Sequence, residues 1–185
     1  MPKIEANPRG IPKAPFVEKV EEFCAIGEAD ATLRSFQEMI AKYKYMQTSL
    51  EGRKKSLESK LPEITKTLEL VQFMNAKSQA ATDQGASPEP LNTHYELSDT
   101  LWANAKVDLT DKVNLWLGAN VMLEYSLEEA EALLTTKRDA ARTTLKQVDE
   151  DLEYLREQIT TMEVNTARVY NWDVKNRRQT APTKA

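Results

Sequence analysis

The chain has 185 residues, of which 41% are hydrophobic, 29% are charged and five are glycine, a composition that favours long helices over a glycine-rich sandwich or barrel. The formal net charge of −4 argues against nucleic acid or an acidic membrane surface as a partner, and no apolar run predicts a membrane span or a signal peptide. The sequence has one histidine, one cysteine and no HExxH motif, which argues against the common zinc sites. It also lacks a glycine-rich phosphate loop, which argues against a nucleotide site. We therefore expect no enzyme, no metal and no cofactor.

The chain begins with a proline-rich stretch. Residues 1–15 contain four prolines and predict a flexible N-terminal arm. Residues 16–80 are predicted to form a short leading helix and then the first helix of a coiled coil. Residues 81–92 are rich in small polar residues, glycine and proline, and predict a linker.

The first long helix carries a heptad seam. From Phe36 to Val71, eleven positions alternate at steps of four and three residues, and nine of them are apolar, which is typical of a coiled coil. The two polar positions, Gln47 and Lys54, either fix the register or are tolerated at partly exposed places. Pro62 lies off the seam, so it predicts a kink rather than the end of the helix.

The central block, residues 93–126, has the two-residue alternation of β-strands. In VNLWLGANVMLEY, apolar residues occupy both faces of a predicted hairpin around Gly118-Ala119-Asn120, and a second hairpin precedes it. A pair of hairpins is marginally stable alone, and one coiled coil cannot cover two sheet faces. We therefore predict a subunit-assembly surface that includes Leu101, Trp102, Val113, Leu115, Trp116, Leu117, Val121, Met122 and Leu123.

A second heptad seam follows the block, in residues 127–173. From Leu127 to Val169, thirteen positions alternate at steps of four and three, and ten are apolar. Ser126 and Glu129 form a predicted capping box at the start of this helix. Residues 174–185 are polar and predict a fraying tail. The predicted fold class is therefore mainly α with a small β part: a long antiparallel coiled-coil hairpin joined through two β-hairpins.

Four segments, KVNLWLGANVMLEY, IPKAPFVEKV, LPEITKTLELVQFM and ARVYNWDVKNRR, resemble the α class of prefoldin subunits. The resemblance covers residues from about 11 to 178. It implies an ATP-independent chaperone subunit in a heterohexamer of two α-class and four β-class subunits, whose hairpins form a platform. The implied partners are the other prefoldin subunits, the cytosolic chaperonin, and unfolded actin and tubulin, which bind at the tips of the coiled coils.

The tips in this chain are predicted to present apolar residues to clients, although the same residues also suit a structural role in closing the coiled coil. The candidates are Phe16, Val20, Phe23, Ile26, Leu33, Phe36, Met162, Val169, Tyr170 and Trp172. The alternative function is a coiled-coil tether that holds no client. A single cysteine cannot form an intramolecular disulfide, which favours a cytoplasmic, and also a nuclear, location.

Overall fold

The computed structural model describes residues 6–24, 28–83, 85 and 89–180, with the side chains of Glu22 and of residues 178–180 left aside. Within these residues, seven elements follow one another: α1 (Val20–Phe23), α2 (Ala29–Asp83), β1 (Leu91–Ser98), β2 (Leu101–Val107), β3 (Lys112–Gly118), β4 (Val121–Ser126) and α3 (Leu127–Thr180). Two long helices joined through two β-hairpins confirm the predicted fold class. Across the described ranges, no helix is long and apolar enough to cross a bilayer.

Several boundaries differ from the prediction. The leading helix was expected to start at Phe16, but it is a single turn, Val20–Phe23. The linker begins later than expected, because α2 runs through Pro62 to Asp83. The segment expected to fray after residue 173 is helical as far as Thr180. Ion pairs from Arg177 to Asp173, one turn earlier, and to Asp30 tie this last part of the helix to its surroundings.

The chain divides into two compact units, and the first contains Met1–Leu57 and Thr144–Ala185. Here the two long helices run antiparallel, since residues with higher sequence numbers on α2 pair with residues that have lower sequence numbers on α3. The ion pairs that show this order are Asp30–Arg177, Lys44–Glu163 and Lys54–Asp149. Lys54, one of the polar seam positions, thus reaches the facing helix at 2.8 Å.

The N-terminal residues form a third layer on this helix pair. We call residues 6–20 the strap. Every third residue of its second half is buried, namely Ile11, Ala14, Val17 and Val20. These residues share one core with seam residues that include Phe36, Tyr43, Leu155, Met162 and Val169. The prediction of a flexible arm is therefore wrong for residues 6–15, because proline-rich backbone with a three-residue repeat presents one apolar edge to the helices.

The second unit, Glu58–Thr143, holds the two hairpins. Strand β1 pairs with β2 and β3 pairs with β4, both antiparallel, as two separate two-stranded sheets. Ala119 and Asn120 connect β3 to β4 with φ values of 50° and 61°, as a tight type I′ turn requires. The predicted capping box is confirmed: the Glu129 N–H donates to Ser126 Oγ, and the Ser126 N–H donates to Glu129 Oε2, both at 3.2 Å.

Candidate functional site

One face of the β3–β4 hairpin packs on the helices of its own unit. Val113, Leu115 and Tyr125 are half-buried against a core formed by Leu68, Val71, Leu127, Ala130 and Leu134. On the strands, Val113 lies opposite Tyr125, and Leu115 lies opposite Leu123. This packing fixes which face of the hairpin turns away from the helices.

The opposite face of this hairpin carries two large apolar side chains in water. Trp116 lies directly across from Met122, and these side chains are 59% and 56% exposed. Leu117, Val121 and Leu123 are also exposed near the turn. Beside this pair, Lys112 and Glu124 form a 2.8 Å ion pair, and the hydrogen bond to Glu124 raises the pKa of Lys112.

The β1–β2 hairpin is still more open. Among its described residues, none belongs to either buried core, and half-buried alanines 103 and 105 are its best-covered positions on β2. Leu91 at its start is half-buried, whereas its other large apolar side chains are exposed: Tyr95, Leu97, Leu101, Trp102 and Val107. We call the exposed apolar residues of both hairpins the platform surface. A monomer rarely leaves so many large side chains exposed on two short hairpins without a partner.

The predicted assembly residues divide into two groups. Seven of them lie on the platform surface: Leu101, Trp102, Trp116, Leu117, Val121, Met122 and Leu123. The other two, Val113 and Leu115, pack against the chain's own helices, so their first role is to seat the hairpin. Alternation along a strand identifies two faces, but it does not say which face a neighbouring helix covers.

The predicted tip residues divide in the same way. Val20, Phe36, Met162 and Val169 are buried in the core of the first unit, and Leu33 and Trp172 pack against it. Phe16, Phe23 and Tyr170 are exposed, and we call them the exposed aromatic trio. The Phe23 ring lies 5.7 Å from that of Phe36, and the Arg168 guanidinium lies 5.0 Å from the Phe16 ring. Ile26 lies outside the described residues.

The strap begins with a closed turn that sequence reasoning did not identify. In Asn7-Pro8-Arg9-Gly10, the Gly10 N–H donates to the Asn7 carbonyl at 3.0 Å, and Gly10 has a φ of 88°. Asn7 Oδ1 also accepts the N–H groups of Arg9 and Ile11. Proline second and glycine fourth in the sequence NPRG are the available signal for such a turn.

The turn presents two donors to a buried carboxylate. Asn7 Nδ2 and Arg9 Nε donate to Asp151 at 2.6 and 2.7 Å, and Arg9 also pairs with Glu150 at 3.1 Å. The hydrogen bond to Asp151 raises the pKa of Arg9, so its guanidinium stays charged. A buried carboxylate needs such paired donors to be tolerated.

Further along the strap, helix side chains bind its main chain. Gln158 Oε1 accepts the Ala14 N–H at 2.9 Å, and Asn165 bonds both the Val17 N–H and the Pro15 carbonyl. From α2, the Tyr43 hydroxyl donates to the Pro12 carbonyl at 2.9 Å, and burial raises the pKa of this phenol. In the part of the chain that the structure describes, no buried side-chain nitrogen or oxygen lacks a partner.

Comparison with known proteins adds the family. A prefoldin-subunit family model matches residues 43–172. The chain is 53% identical over 174 residues to a protein of Elsinoe fawcettii named prefoldin subunit 3, covering 94% of this chain and 85% of that one. It is 55% identical to a probable prefoldin subunit 3 of Schizosaccharomyces pombe over 95% of this chain and 97% of the relative. A human prefoldin subunit 3 is 45% identical over 95% of this chain and 87% of its own. This chain belongs to the prefoldin family.

A solved prefoldin supports the fold independently of sequence. The structure of filamentous prefoldin from Methanocaldococcus jannaschii matches with a TM-score of 0.51 at 16% identity, over 70% of this chain and 98% of that one. The α-type prefoldin fold expected from the sequence is thus confirmed. The chain is a prefoldin chaperone subunit, and its family is one of non-enzymatic chaperones.

Proposed function

We propose that this prefoldin subunit works in a heterohexamer that holds non-native actin, tubulin and related chains and transfers them to the cytosolic chaperonin without ATP. Its partners in the hexamer are β-class subunits and a second α-class subunit, joined through the platform surface. The observation that carries the client-holding part is the exposed aromatic trio, Phe16, Phe23 and Tyr170, all in the first unit.

The physical basis is many weak contacts. A fully buried large apolar side chain contributes about 1.5–3 kcal/mol, so a few exposed aromatic rings on one subunit hold an unfolded chain only weakly. Several subunits acting together gain affinity because the later contacts form at a high effective concentration. Each contact remains easy to break, so transfer to a chaperonin needs no chemical step.

The test reconstitutes the hexamer with its sister subunits and measures how it suppresses aggregation of unfolded actin. Replacing Phe16, Phe23 and Tyr170 together by serine should reduce suppression at least about fivefold. The matched control replaces the exposed aromatics Tyr45 and Phe73 by serine and should leave suppression unchanged. A hexamer with full assembly but no suppression in its unaltered form would favour the tethering role instead.

Transfer requires a separate measurement. Actin held by the complex should appear on added chaperonin in the absence of ATP, as followed by native gel or fluorescence transfer. Actin that stays on the hexamer at saturating chaperonin would contradict this part of the proposal. We place the complex in the cytoplasm and also in the nucleus, and imaging of the tagged chain in its own cells tests that placement.

A further inference from the structure

Three polar residues lie buried on α3 at intervals of seven. Asp151, Gln158 and Asn165 expose only 6%, 6% and 0% of their surface. Each stands directly before a seam residue, so together they form a stripe along one edge of the helix. Polar side chains at such positions normally face water, and burying them is costly without partners. Each of them has a partner in the strap, and Gln158 also donates to the Tyr154 carbonyl of its own helix.

The bonds from the helices reach the main chain of the strap. Asn165 Oδ1 accepts the Val17 N–H at 3.1 Å, and its Nδ2 donates to the Pro15 carbonyl at 2.6 Å. Arg168 donates to the Val17 carbonyl at 2.8 Å. With the bonds from Gln158 to Ala14 and from Tyr43 to Pro12, five main-chain groups of the strap are bound by helix side chains. Recognition of this kind depends on backbone shape more than on side-chain identity.

The repeats of helix and strap nearly match. Seven residues of α-helix rise about 10.5 Å, the distance between successive members of the stripe. Three residues of a polyproline-type chain advance about 9.3 Å, which is close to the step of the stripe. The step from Gln158 to Asn165 therefore accompanies the step from Ala14 to Val17. An extended chain can keep in register with Gln158 and Asn165 through its main chain, whereas Asp151 binds the side chains of Asn7 and Arg9.

The anchor at the start of the strap is open to water. Arg9 is 31% exposed and Glu150 is 51% exposed, so their ion pair is weakened by salt. Beyond this clasp, the strap places residues as small as Ala14 and Val17 in the core. The strap is thus held at one end by a partly exposed clasp, in which Arg9 also binds the buried Asp151, and by main-chain bonds along its length.

We propose that Asp151, Gln158, Asn165, Arg168 and Tyr43 form a binding site for an extended polypeptide segment. The strap is its built-in occupant, and a segment of a non-native chain takes the same site when the strap leaves. The peptide site is argued from the contacts alone. Its use by a non-native chain, which we call the client step, rests on the proposed chaperone function.

The first experiment supplies the strap from outside. The hexamer containing a chain that lacks residues 1–19 is titrated with a fluorescent peptide of residues 6–20, and anisotropy is measured. Binding should be at least about tenfold tighter than to the full-length hexamer, where the strap competes at high effective concentration. The substitutions Gln158→Ala and Asn165→Ala together should weaken it at least about tenfold, and the exposed neighbour Glu157→Ala should not.

A second pair of peptides tests recognition of the main chain. Methylating the nitrogen of Val17 removes the donor to Asn165 and should weaken binding at least about tenfold. The control peptide is methylated at the nitrogen of Phe16, because the Phe16 N–H is not among the groups bound by the stripe. The added methyl group also favours an extended conformation at Pro15. Equal binding of both methylated peptides, or no binding of the parent peptide to a folded hexamer, would overturn the proposed site.

Folding of the shortened chain is checked by its helical circular dichroism. If it fails to fold, the full-length variant Arg9→Ala replaces it: amide exchange at Ala14 and Val17 should become at least about threefold faster, and the peptide should bind. Unchanged exchange and no peptide binding would overturn the site.

The client step is tested by competition. Unfolded actin should displace the bound peptide, and the variant Arg9→Ala, which loosens the strap but keeps Phe16, should raise actin holding at least about twofold. Peptide that stays bound at saturating actin overturns the client step. A hexamer that binds the peptide but never suppresses actin aggregation, with or without the strap, overturns the proposed function and leaves the peptide site supported.

Discussion

The two units of this prefoldin subunit treat apolar surface in opposite ways. In the first unit, the strap covers the helix pair, so residues such as Tyr43, Met162 and Val169 are almost completely buried. In the second unit, two hairpins leave Trp102 and Trp116 more than half exposed. The first unit completes its core within one chain, whereas the second leaves large apolar side chains exposed, as an assembly surface does.

This difference between the two units indicates which part of the chain needs a partner subunit to cover its apolar surface. A proline-rich segment that repeats every three residues can line a helix edge, and its main chain is satisfied by side chains already present on that helix. A two-stranded sheet has no such option, because its edges and second face require more strands. Exposure of large apolar residues therefore indicates an assembly surface on the hairpins more strongly than on the helices.

The largest expected effect comes from charging the platform surface. Replacing Trp116 and Met122 by glutamate places two carboxylates side by side on the platform surface, the proposed site of assembly. Burying these charges without partners should reduce co-purification of the other subunits at least about tenfold. Helix content should not change, since both residues face away from the helices of their own unit. Pull-down of the tagged chain with subunit quantification measures the effect.

The control for this variant is Tyr45→Glu, an exposed aromatic in the first unit. It should leave assembly at the normal level. Normal assembly of the Trp116 and Met122 variant would contradict the contrast between the units, because the hairpin face would then need no partner. We chose these two residues over Leu115, which also packs on its own helices.

Most of the fold could be predicted because its signals are local. Heptad spacing identified both long helices, alternation identified the hairpins, and the capping box at Ser126 marked the start of α3. The faces of the hairpins were less predictable, since packing of Val113 and Leu115 on the helices depends on tertiary contacts.

The strap could not be predicted in this way. Its contacts with α3 join residues 141 to 151 positions apart, such as Arg9 with Glu150 and Val17 with Arg168. The stripe of Asp151, Gln158 and Asn165 looks like an ordinary solvated helix edge in sequence. Four prolines suggested flexibility, whereas the three-residue repeat of buried residues from Ile11 to Val20 is the feature that predicts docking.

The next largest effect compares the loss of stability from a substitution in the buried core of the first unit with that from a substitution on an exposed hairpin of the second. Leu155→Ala removes a fully buried side chain from the first unit and should lower the free energy of unfolding by about 2–5 kcal/mol. Trp102→Ala removes a larger but exposed side chain from the second unit and should change the free energy of unfolding by less than about 0.5 kcal/mol. Urea unfolding of the isolated chain at low concentration, followed by circular dichroism, compares them. Equal losses would show that the hairpin is already covered within one chain.

A smaller effect isolates the polar part of the strap contact. Asn165→Ala leaves the Val17 N–H and the Pro15 carbonyl without partners, which should cost about 1–3 kcal/mol. Amide exchange at Val17 should accelerate in proportion, as mass spectrometry can measure. The control is Thr161→Ala on the same helix, whose exposed hydroxyl bonds only the carbonyl one turn earlier among its described contacts. Protection at Val17 that survives Asn165→Ala would mean that apolar packing alone holds the strap.

The smallest expected effect concerns the capping box at the start of α3, which lies in the second unit. Ser126→Ala removes the hydroxyl that accepts the Glu129 N–H, and loss of this cap should cost about 1 kcal/mol. Thr136→Ala deletes a hydroxyl from the same helix and the same unit, but that group bonds only the preceding turn in the contacts described, so its loss should be neutral or slightly stabilising. Urea midpoints of the two variants give the comparison. Since the strap lies in the first unit, neither change should alter amide exchange at Val17; a change there would mean that the stabilities of the two units are coupled through α3.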